Sequence, residues 1–241
     1  MSEENYTIFS VCNRVPTEPY YCLSEWYKST EGMNKLVVAG AGTIYTGLCD
    51  KIKFLYRMIE HGHIKTKYLI ACDSWDLVFA AKPEEILLKY FQFDADIVVS
   101  AEKNCFPADL KDEYDKLPST SSYKYLNSGF IVGTTEAIFK TLEAMKVEEI
   151  PNDYFDGEKN VHFNDQFEFQ KIFLQQPVKM VLDYNQVLSN TLHQVTLDEL
   201  DFSEDAIRNK ETGSFPCTFH FNGSGKSGPC RNPILKHLNL L

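Results

Sequence analysis

The chain has 241 residues, of which 44% are apolar and 24% charged, and its formal net charge is −10. This length suits one large α/β domain with a buried core, which we assign to residues 1–241, and the ordinary composition argues against disorder and coiled coil. The acidic balance argues against a nucleic-acid binder, and no apolar run approaches the roughly eighteen residues that a transmembrane segment needs.

The N-terminus and the cysteines predict a cytoplasmic protein. Residues Met1–Asn5 are acidic and lack the basic and apolar regions of a signal peptide. The seven cysteines are scattered singly without a C-x-x-C pair, which argues against a disulfide framework and against a structural zinc site. We therefore expect reduced thiols.

Strands and helices alternate over the first hundred residues. Apolar residues at Ile52, Leu55, Tyr56 and Ile59 have the i, i+3, i+4, i+7 spacing of a packed helix. In chain order we predict a strand at Tyr6–Cys12, a helix at Glu18–Lys28, a strand at Lys35–Ala39, a glycine-rich loop at Gly40–Gly47, a helix at Cys49–Glu60, a strand at Lys67–Cys72, a helix at Glu84–Phe91 and a strand at Asp96–Ser100.

The second half of the chain is less regular. There we predict strands at Phe130–Val132, Val178–Leu182 and Cys217–Phe221, and helices at Glu136–Met145 and Asp165–Leu174. The alternation indicates an α/β fold with a mostly parallel central sheet and helices on both faces. Because open α/β sheets bind ligands at the carboxyl ends of their strands, the residues that follow the predicted strands are the candidates for a site.

Two carboxylates follow the strand Lys67–Cys72, at Asp73 and Asp76 in the sequence Asp-Ser-Trp-Asp. Carboxylate oxygens suit hard cations such as Mg²⁺ and Mn²⁺. Such a cation can bridge the phosphates of a nucleotide and neutralise charge on a leaving diphosphate. The alternative is a solvated turn in which Asp73 caps the following segment, and the position after a buried strand leaves the two interpretations evenly matched.

A second polar segment, His220-Phe-Asn-Gly-Ser-Gly-Lys226, accompanies the last predicted strand. An imidazole can complete a metal shell with carboxylates, the glycines let backbone N–H groups approach phosphate oxygens, and Lys226 adds a positive charge. The alternative is a glycine-rich turn. A P-loop does not match, because that pattern needs glycine where His220 stands and a helix where Gly228 and Pro229 follow.

Residues Asn127 and Ser128, just before the strand Phe130–Val132, offer hydrogen bonds suited to sugar hydroxyls, and Gly129 permits close approach. A plain turn accounts for the same residues. The aromatic residues of another segment are predicted to form a core face rather than a ligand platform; they are Tyr20, Tyr21, Trp26 and Tyr27.

The segment Asn164-Asp-Gln begins a predicted helix. Asn164 suits the N-cap, and Asp165 suits the first turn because a carboxylate there complements the helix dipole. These helix-terminus roles account for the residues without catalysis. A carboxylate at Asp165 also fits a general base or an acceptor-binding group.

Together, these segments resemble the glycosyltransferase domain of procollagen lysyl hydroxylases and its stand-alone relatives, including viral ones. Four segments match in the same order, over roughly residues 6–228: Leu69–Asp76, Leu126–Gly129, Asn164–Gln166 and His220–Lys226. The resemblance implies a GT-A fold, a UDP-sugar donor and Mn²⁺ (or Mg²⁺). It also makes a viral protein in host cytoplasm one expectation.

The resemblance implies roles for individual residues. The metal ligands it implies are Asp73, Asp76 and His220. The cofactor-binding residues it implies, from the uridine end to the diphosphate loop, are Val11, Cys12, Asn13, Lys51, Ser74, Trp75, Asn222, Gly223, Gly225 and Lys226. Asp165 falls in the acidic segment that the family uses in catalysis, although this chain keeps a single Asp there.

We therefore expect a metal-dependent hexosyltransferase that moves a sugar from a UDP-sugar to a hydroxyl of a glycan or protein, for example a hydroxylysine-linked glycan. Its catalytic residues are expected to be Asp165, Asn127 and Lys226. Whether the anomeric configuration is retained, and the oligomeric state, stay open. The alternative is a non-catalytic nucleotide-sugar or glycan-binding module of the same fold, against which the three metal-binding residues argue.

Overall fold

A computed structural model describes residues 5–13, 21–33, 35–204 and 206–241. The strands are β1 Tyr6–Val11, β2 Leu36–Ala39, β3 Tyr68–Cys72, β4 Leu77–Phe79, β5 Ile97–Glu102, β6 Tyr125–Thr134, β7 Tyr154–Phe155, β8 Asn160–Val161, β9 Met180–Asp183, β10 Ser189–Thr191, β11 Leu200–Phe202, β12 Ile207–Asn209 and β13 Thr218–His220. The helices are α1 Leu23–Ser29, α2 Asp50–Glu60, α3 Pro83–Tyr90, α4 Lys111–Tyr114, α5 Thr135–Ala144, α6 Asp165–Gln175 and α7 Arg231–His237.

A six-stranded sheet in the order β2-β1-β3-β6-β5-β9 forms the centre of the fold. β1 pairs in parallel with β2 and β3, and β5 pairs in parallel with β9. β6 runs antiparallel to both of its neighbours, β3 and β5. The predicted α/β, GT-A-like fold with a mostly parallel central sheet is confirmed.

Alternate residues of the central strands contribute to two separate hydrophobic clusters. Phe9 and Leu69 belong to the first, together with residues of α2, α5, α6 and α7. Ile8 and Ile70 belong to the second, together with residues of α1 and α3. Because successive side chains of a strand point to opposite faces, the two clusters show that helices cover both faces of the sheet.

A smaller sheet, in the order β10-β13-β4, positions the polar segments. β13 pairs antiparallel with β4, which places His220 opposite Leu77, just after Asp76. The backbone N–H of Phe221 donates to the Asp76 carbonyl over 2.6 Å, and the N–H of Asp73 donates to the Gly129 carbonyl over 2.9 Å. Three distant segments therefore meet at one end of the central sheet.

Two predicted elements differ from the structure by more than two residues at one end. The helix predicted at Glu18–Lys28 begins at Leu23 among the described residues, and Glu18–Tyr20 lie outside them. The strand predicted at Phe130–Val132 is β6, which begins at Tyr125, so Leu126–Gly129 form a strand and not a turn. Pairing with β5 through a register shift extends β6, and this contact is invisible in the local sequence.

The seven cysteines are free thiols, as predicted. Within the described residues, no helix combines the length and apolar character needed to cross a membrane. The cytoplasmic location stays a prediction.

Candidate metal centre and adjoining cavity

Asp73, Asp76 and His220 lie together, with one possible ligand atom from each within 4.8 Å of the others. His220 Nε2 is 3.3 Å from Asp76 Oδ1 and 3.6 Å from Asp73 Oδ2. Two carboxylates and an imidazole are a donor set that divalent cations accept. The residues predicted from the sequence to hold a metal are therefore arranged so that they can share one.

Asn127 orients the imidazole of His220. Asn127 Nδ2 donates to Glu102 Oε1 over 3.1 Å, so its Oδ1 faces His220 Nδ1 at 3.0 Å. Asn127 Oδ1 also accepts the N–H of Gly129 over 3.0 Å. Because Asn127 Oδ1 can only accept, Nδ1 carries a proton, and Nε2 faces the two carboxylates. In the neutral ring Nε2 holds the lone pair, which a bound cation would accept.

The imidazole of His220 packs directly on the backbone of Gly129. A Cβ atom at Gly129 would lie 2.1 Å from His220 Cε1, far inside any real contact. The close approach that we predicted at Gly129 is therefore needed for a side chain of the protein itself. Glycine in the middle of β6 allows the strand and the ring to occupy adjacent positions.

Two lysines compensate the negative charges of the Asp73 and Asp76 carboxylates. Lys226 Nζ is 3.0 Å from Asp76 Oδ2, and Lys51 Nζ is 2.8 Å from Asp73 Oδ1. Burial alone would lower the pKa of both ammonium groups, but the neighbouring carboxylates outweigh it and raise each pKa above its usual value. In Asp76 burial alone would raise the pKa, whereas a protonated His220 ring and the Lys226 ammonium lower it below the usual range. Both lysines are therefore charged, and Asp76 is ionised.

Asp165 lies at the N-terminus of α6 but its side chain turns to the cavity. Asn164 caps this helix by accepting the N–H of Gln166 over 2.9 Å, so the predicted cap is confirmed. Asp165 Oδ2 accepts a hydrogen bond from Ser128 Oγ over 2.8 Å and lies 2.9 Å from Lys51 Nζ. Asp165 is buried, so it is not a solvated first-turn acid.

Glu102 is a buried carboxylate that our sequence analysis did not identify. Its oxygens accept hydrogen bonds from Asn127, from Gln166 Nε2 over 2.7 Å and from Asn222 Nδ2 over 2.8 Å. Burial raises the pKa of Glu102 to about 7, against the opposing effect of these donors and of His220. Glu102 thereby ties together the residue that orients His220, the start of α6 and the loop after β13.

A cavity of about 490 Å³ adjoins the cluster. The predicted site residues that line it are Val11, Asn13, Lys51, Asp73, Ser74, Trp75, Asp76, Asn127, Asp165, His220, Asn222, Gly223 and Lys226. Two predicted residues, Cys12 and Gly225, do not line it. Gly225 is buried against the backbone of Leu192, and the backbone N–H of Cys12 donates to the Ala39 carbonyl over 2.9 Å.

Tyr21 was predicted to belong to a core face, but it lines the cavity. Its ring makes an edge-to-face contact with Trp75 at a centroid distance of 5.4 Å, and Lys226 Nζ lies 5.2 Å from its centroid. The core prediction is confirmed for Trp26, which is fully buried, and is wrong for Tyr27, which is 47% exposed. Tyr20 lies outside the described residues.

Two backbone N–H groups of the loop after β13 donate hydrogen bonds to acceptors within the protein. Ser224 N donates to His193 Nδ1 over 3.0 Å, and Gly225 N donates to the Asn222 carbonyl over 2.9 Å. We predicted that backbone N–H groups of this loop approach phosphate oxygens, and these two are engaged within the protein. His193, which lines the cavity beside Gly223, was not identified from the sequence.

Comparison with known proteins finds similarity over most of the chain. A family model described as the PLOD GT domain matches residues 25–228. An uncharacterised protein of Acanthamoeba polyphaga mimivirus, R699, is 34% identical over 66% of this chain and 32% of its own length. Mouse procollagen-lysine,2-oxoglutarate 5-dioxygenase 1 is 26% identical over 77% of this chain and 25% of its own length. The chain thus spans about a quarter to a third of these relatives.

A solved structure shares the fold. It is the crystal structure of a glycosyltransferase involved in the glycosylation of the major capsid of PBCV-1. The superposition covers 98% of this chain and 100% of the other, with a TM-score of 0.53 and 13% sequence identity. At this identity the likeness describes the architecture alone.

Proposed function

This chain belongs to the family of PLOD GT domains, and from that premise we propose that it is a metal-dependent glycosyltransferase that uses a UDP-sugar donor. The observation that carries the proposal is the Asp73, Asp76 and His220 cluster at the wall of a cavity large enough for a nucleotide-sugar. We further propose that the chain works as a single domain and that its acceptor is a hydroxyl of a glycan or protein.

Asp73, Asp76 and His220 would hold Mn²⁺ or Mg²⁺. When bound, such an ion neutralises charge on a diphosphate leaving group. The chain's own contribution begins with the orientation of its ligands, because Asn127 keeps His220 Nδ1 protonated and Nε2 available. The contacts of Asn127 therefore support a positioning role for a residue that we had expected to meet the sugar.

The uridine end of the donor would occupy the part of the cavity near β1. Val11 accepts a hydrogen bond from Ser74 Oγ over 3.0 Å, which ties the end of β1 to the Asp73–Asp76 turn. Asn13 donates to Asp50 Oδ2 over 2.6 Å. Trp75 lines the same cavity and supplies an aromatic surface of the kind on which a base can stack.

Lys226 is placed to assist the departure of UDP. It is charged and lies beside Asp76, so it can approach a diphosphate held at the metal ligands. Negative charge grows on the leaving oxygen as the bond to the anomeric carbon breaks, and a nearby ammonium stabilises that charge more in the transition state than in the ground state.

Asp165 is the carboxylate that we propose for the acceptor side. Its position is fixed by Lys51 and by Ser128, and it lines the cavity together with the metal-binding residues. From this position the carboxylate can orient an incoming hydroxyl or take its proton. Lys51 contacts both Asp165 and Asp73, so it links the acceptor side to the metal side.

A donor-hydrolysis assay tests the proposal without knowledge of the acceptor. The purified chain is incubated with a panel of UDP-sugars and Mn²⁺, and released UDP is measured. We expect slow hydrolysis of one or a few donors, abolished by chelator and by Asp76→Asn. Metal-dependent UDP binding without hydrolysis of any donor would favour the alternative, a non-catalytic nucleotide-sugar-binding module.

A further inference from the structure

His193 lies at the wall of the cavity, just after β10 and beside the loop Gly223–Ser227. We propose that His193 is a donor-binding residue, which holds this loop through Nδ1 and offers Nε2–H to the diphosphate of the nucleotide-sugar. The proposal rests on the proposed function, because it names a further contact within the same site.

Contacts with Ser224 decide which ring nitrogen of His193 accepts a hydrogen bond. The backbone N–H of Ser224 donates to His193 Nδ1 over 3.0 Å, and Ser224 Oγ lies 2.9 Å from the same nitrogen. A backbone N–H can only donate, so Nδ1 acts as the acceptor. The neutral imidazole then carries its proton on Nε2, which makes Nε2 a hydrogen-bond donor.

The His193 ring packs closely against the backbone of the loop at Gly223. Gly223 has a φ of +51°, a conformation that glycine adopts without a steric penalty. A Cβ atom at Gly223 would lie 2.6 Å from His193 Nδ1. The position of the ring and the path of the loop are therefore linked.

The backbone around His193 is also held firmly. The N–H groups of Leu192 and His193 both donate to Asn222 Oδ1, over 2.9 Å and 3.0 Å. Asn222 in turn donates to the buried carboxylate of Glu102. A side chain carried by such a backbone is preorganised, so little conformational entropy opposes its binding to a ligand.

The hydrogen bonds of the loop explain why a histidine is useful here. The N–H of Ser224 is donated to the ring, so this group does not face the cavity as a phosphate donor. The ring supplies Nε2–H, for which the described residues provide no acceptor. The imidazole N–H thus takes the place of the Ser224 N–H as a hydrogen-bond donor at the cavity. Phosphate oxygens are strong acceptors, so the diphosphate is the part of the nucleotide-sugar suited to accept this hydrogen bond.

Three variants distinguish the roles of the two ring nitrogens of His193, Nδ1 and Nε2. His193→Asn keeps an acceptor near the position of Nδ1 and removes the Nε2 donor, whereas His193→Gln keeps a donor near Nε2 and removes the Nδ1 acceptor. His193→Ala removes both. Calorimetry with saturating Mn²⁺ measures the affinity of each variant for UDP and for UMP, and His61→Ala, at an exposed histidine after α2, serves as the matched control.

We expect His193→Ala and His193→Asn to weaken UDP binding about ten- to a hundredfold, the range of one hydrogen bond to a charged group. His193→Gln should keep more of the affinity, and UMP, with one phosphate fewer, should be affected less. UDP affinity unchanged in His193→Ala, or restored by Asn but not by Gln, would overturn the donor role. Absence of UDP binding by the unaltered chain would instead contradict the proposed function itself.

Discussion

The substitution Gly129→Ala tests the packing on which the metal centre depends. The new methyl group would lie 2.1 Å from His220 Cε1, whereas carbon atoms in contact are normally about 3.5–4.0 Å apart. The ring must therefore move by about 1.5 Å or more. Metal–ligand distances tolerate a deviation of only about 0.2 Å, so His220 would leave the coordination shell unless the strand itself shifted.

The expected cost has two parts. Overpacking at a buried position destabilises the fold by about 1–3 kcal/mol. Displacement of His220 also breaks its hydrogen bond to Asn127, and loss of such an orienting partner alone lowers metal affinity about 10–100-fold. Loss of the ligand itself exceeds that, so Mn²⁺-dependent UDP binding should fall by at least about a hundredfold.

Gly133→Ala provides the matched control. Gly133 lies in the same strand, and its Cβ would meet the backbone oxygen of Asp96 at 2.6 Å, away from the metal centre. Both variants should lower the melting temperature, but only Gly129→Ala should lose Mn²⁺-dependent UDP binding in calorimetry. If Gly129→Ala bound UDP and Mn²⁺ with unaltered affinity, the described contact between Gly129 and His220 would not govern the metal centre.

Further substitutions probe the charges around the cavity. Lys51→Met removes the ammonium that contacts Asp73 and Asp165, and we expect it to cost about 1–3 kcal/mol in the free energy of unfolding, measured by urea denaturation. Asp165→Asn keeps the shape of the side chain and removes its charge. The rate of sugar transfer should fall about 10²–10⁴-fold while UDP binding persists. Full transfer activity would show that Asp165 has a structural role only. Asp183 accepts backbone N–H groups of residues 187–189, and Asp183→Asn should cost about 1–3 kcal/mol because one donor loses its acceptor. Burial raises the pKa of Asp183 to about 6, so the folded state keeps a proton that the unfolded state loses near pH 4, and this residue's contribution to stability falls as the pH rises from about 4 to 6. The difference in the free energy of unfolding between wild type and Asp183→Asn should therefore become smaller from about pH 4 to 6. A difference that stays constant or grows over this range would refute the raised pKa of Asp183.

The sequence predicted the central sheet because its signals there are local. The near-continuous apolar run of β3 and the periodic stripe of α2 each specify one element without reference to the rest of the chain. β4 and β10 are three residues long, too short to show a period, and they exist through pairing with β13. The antiparallel direction of β6 likewise depends on its partners.

The candidate site likewise contains residues that local sequence signals could identify and residues that they could not. Asp73, Asp76 and His220 could be proposed because each lies near the carboxyl end of a predicted strand, where ligands of α/β sheets bind. Glu102 could not, because its role depends on Asn222, which is 120 residues away in sequence. His193 gave no signal either, since a single histidine in an irregular segment acquires its meaning only from Ser224, 31 residues later.

Calorimetric titration of UDP into the chain, with Mn²⁺ and then with excess chelator, tests the central claim most directly. The donor set of two carboxylates and an imidazole beside the cavity predicts binding with Mn²⁺, and predicts that chelator or Asp76→Asn removes most of it. Equal UDP affinity with and without the metal, or unaltered metal dependence in Asp76→Asn, would contradict a metal-bound diphosphate at this site.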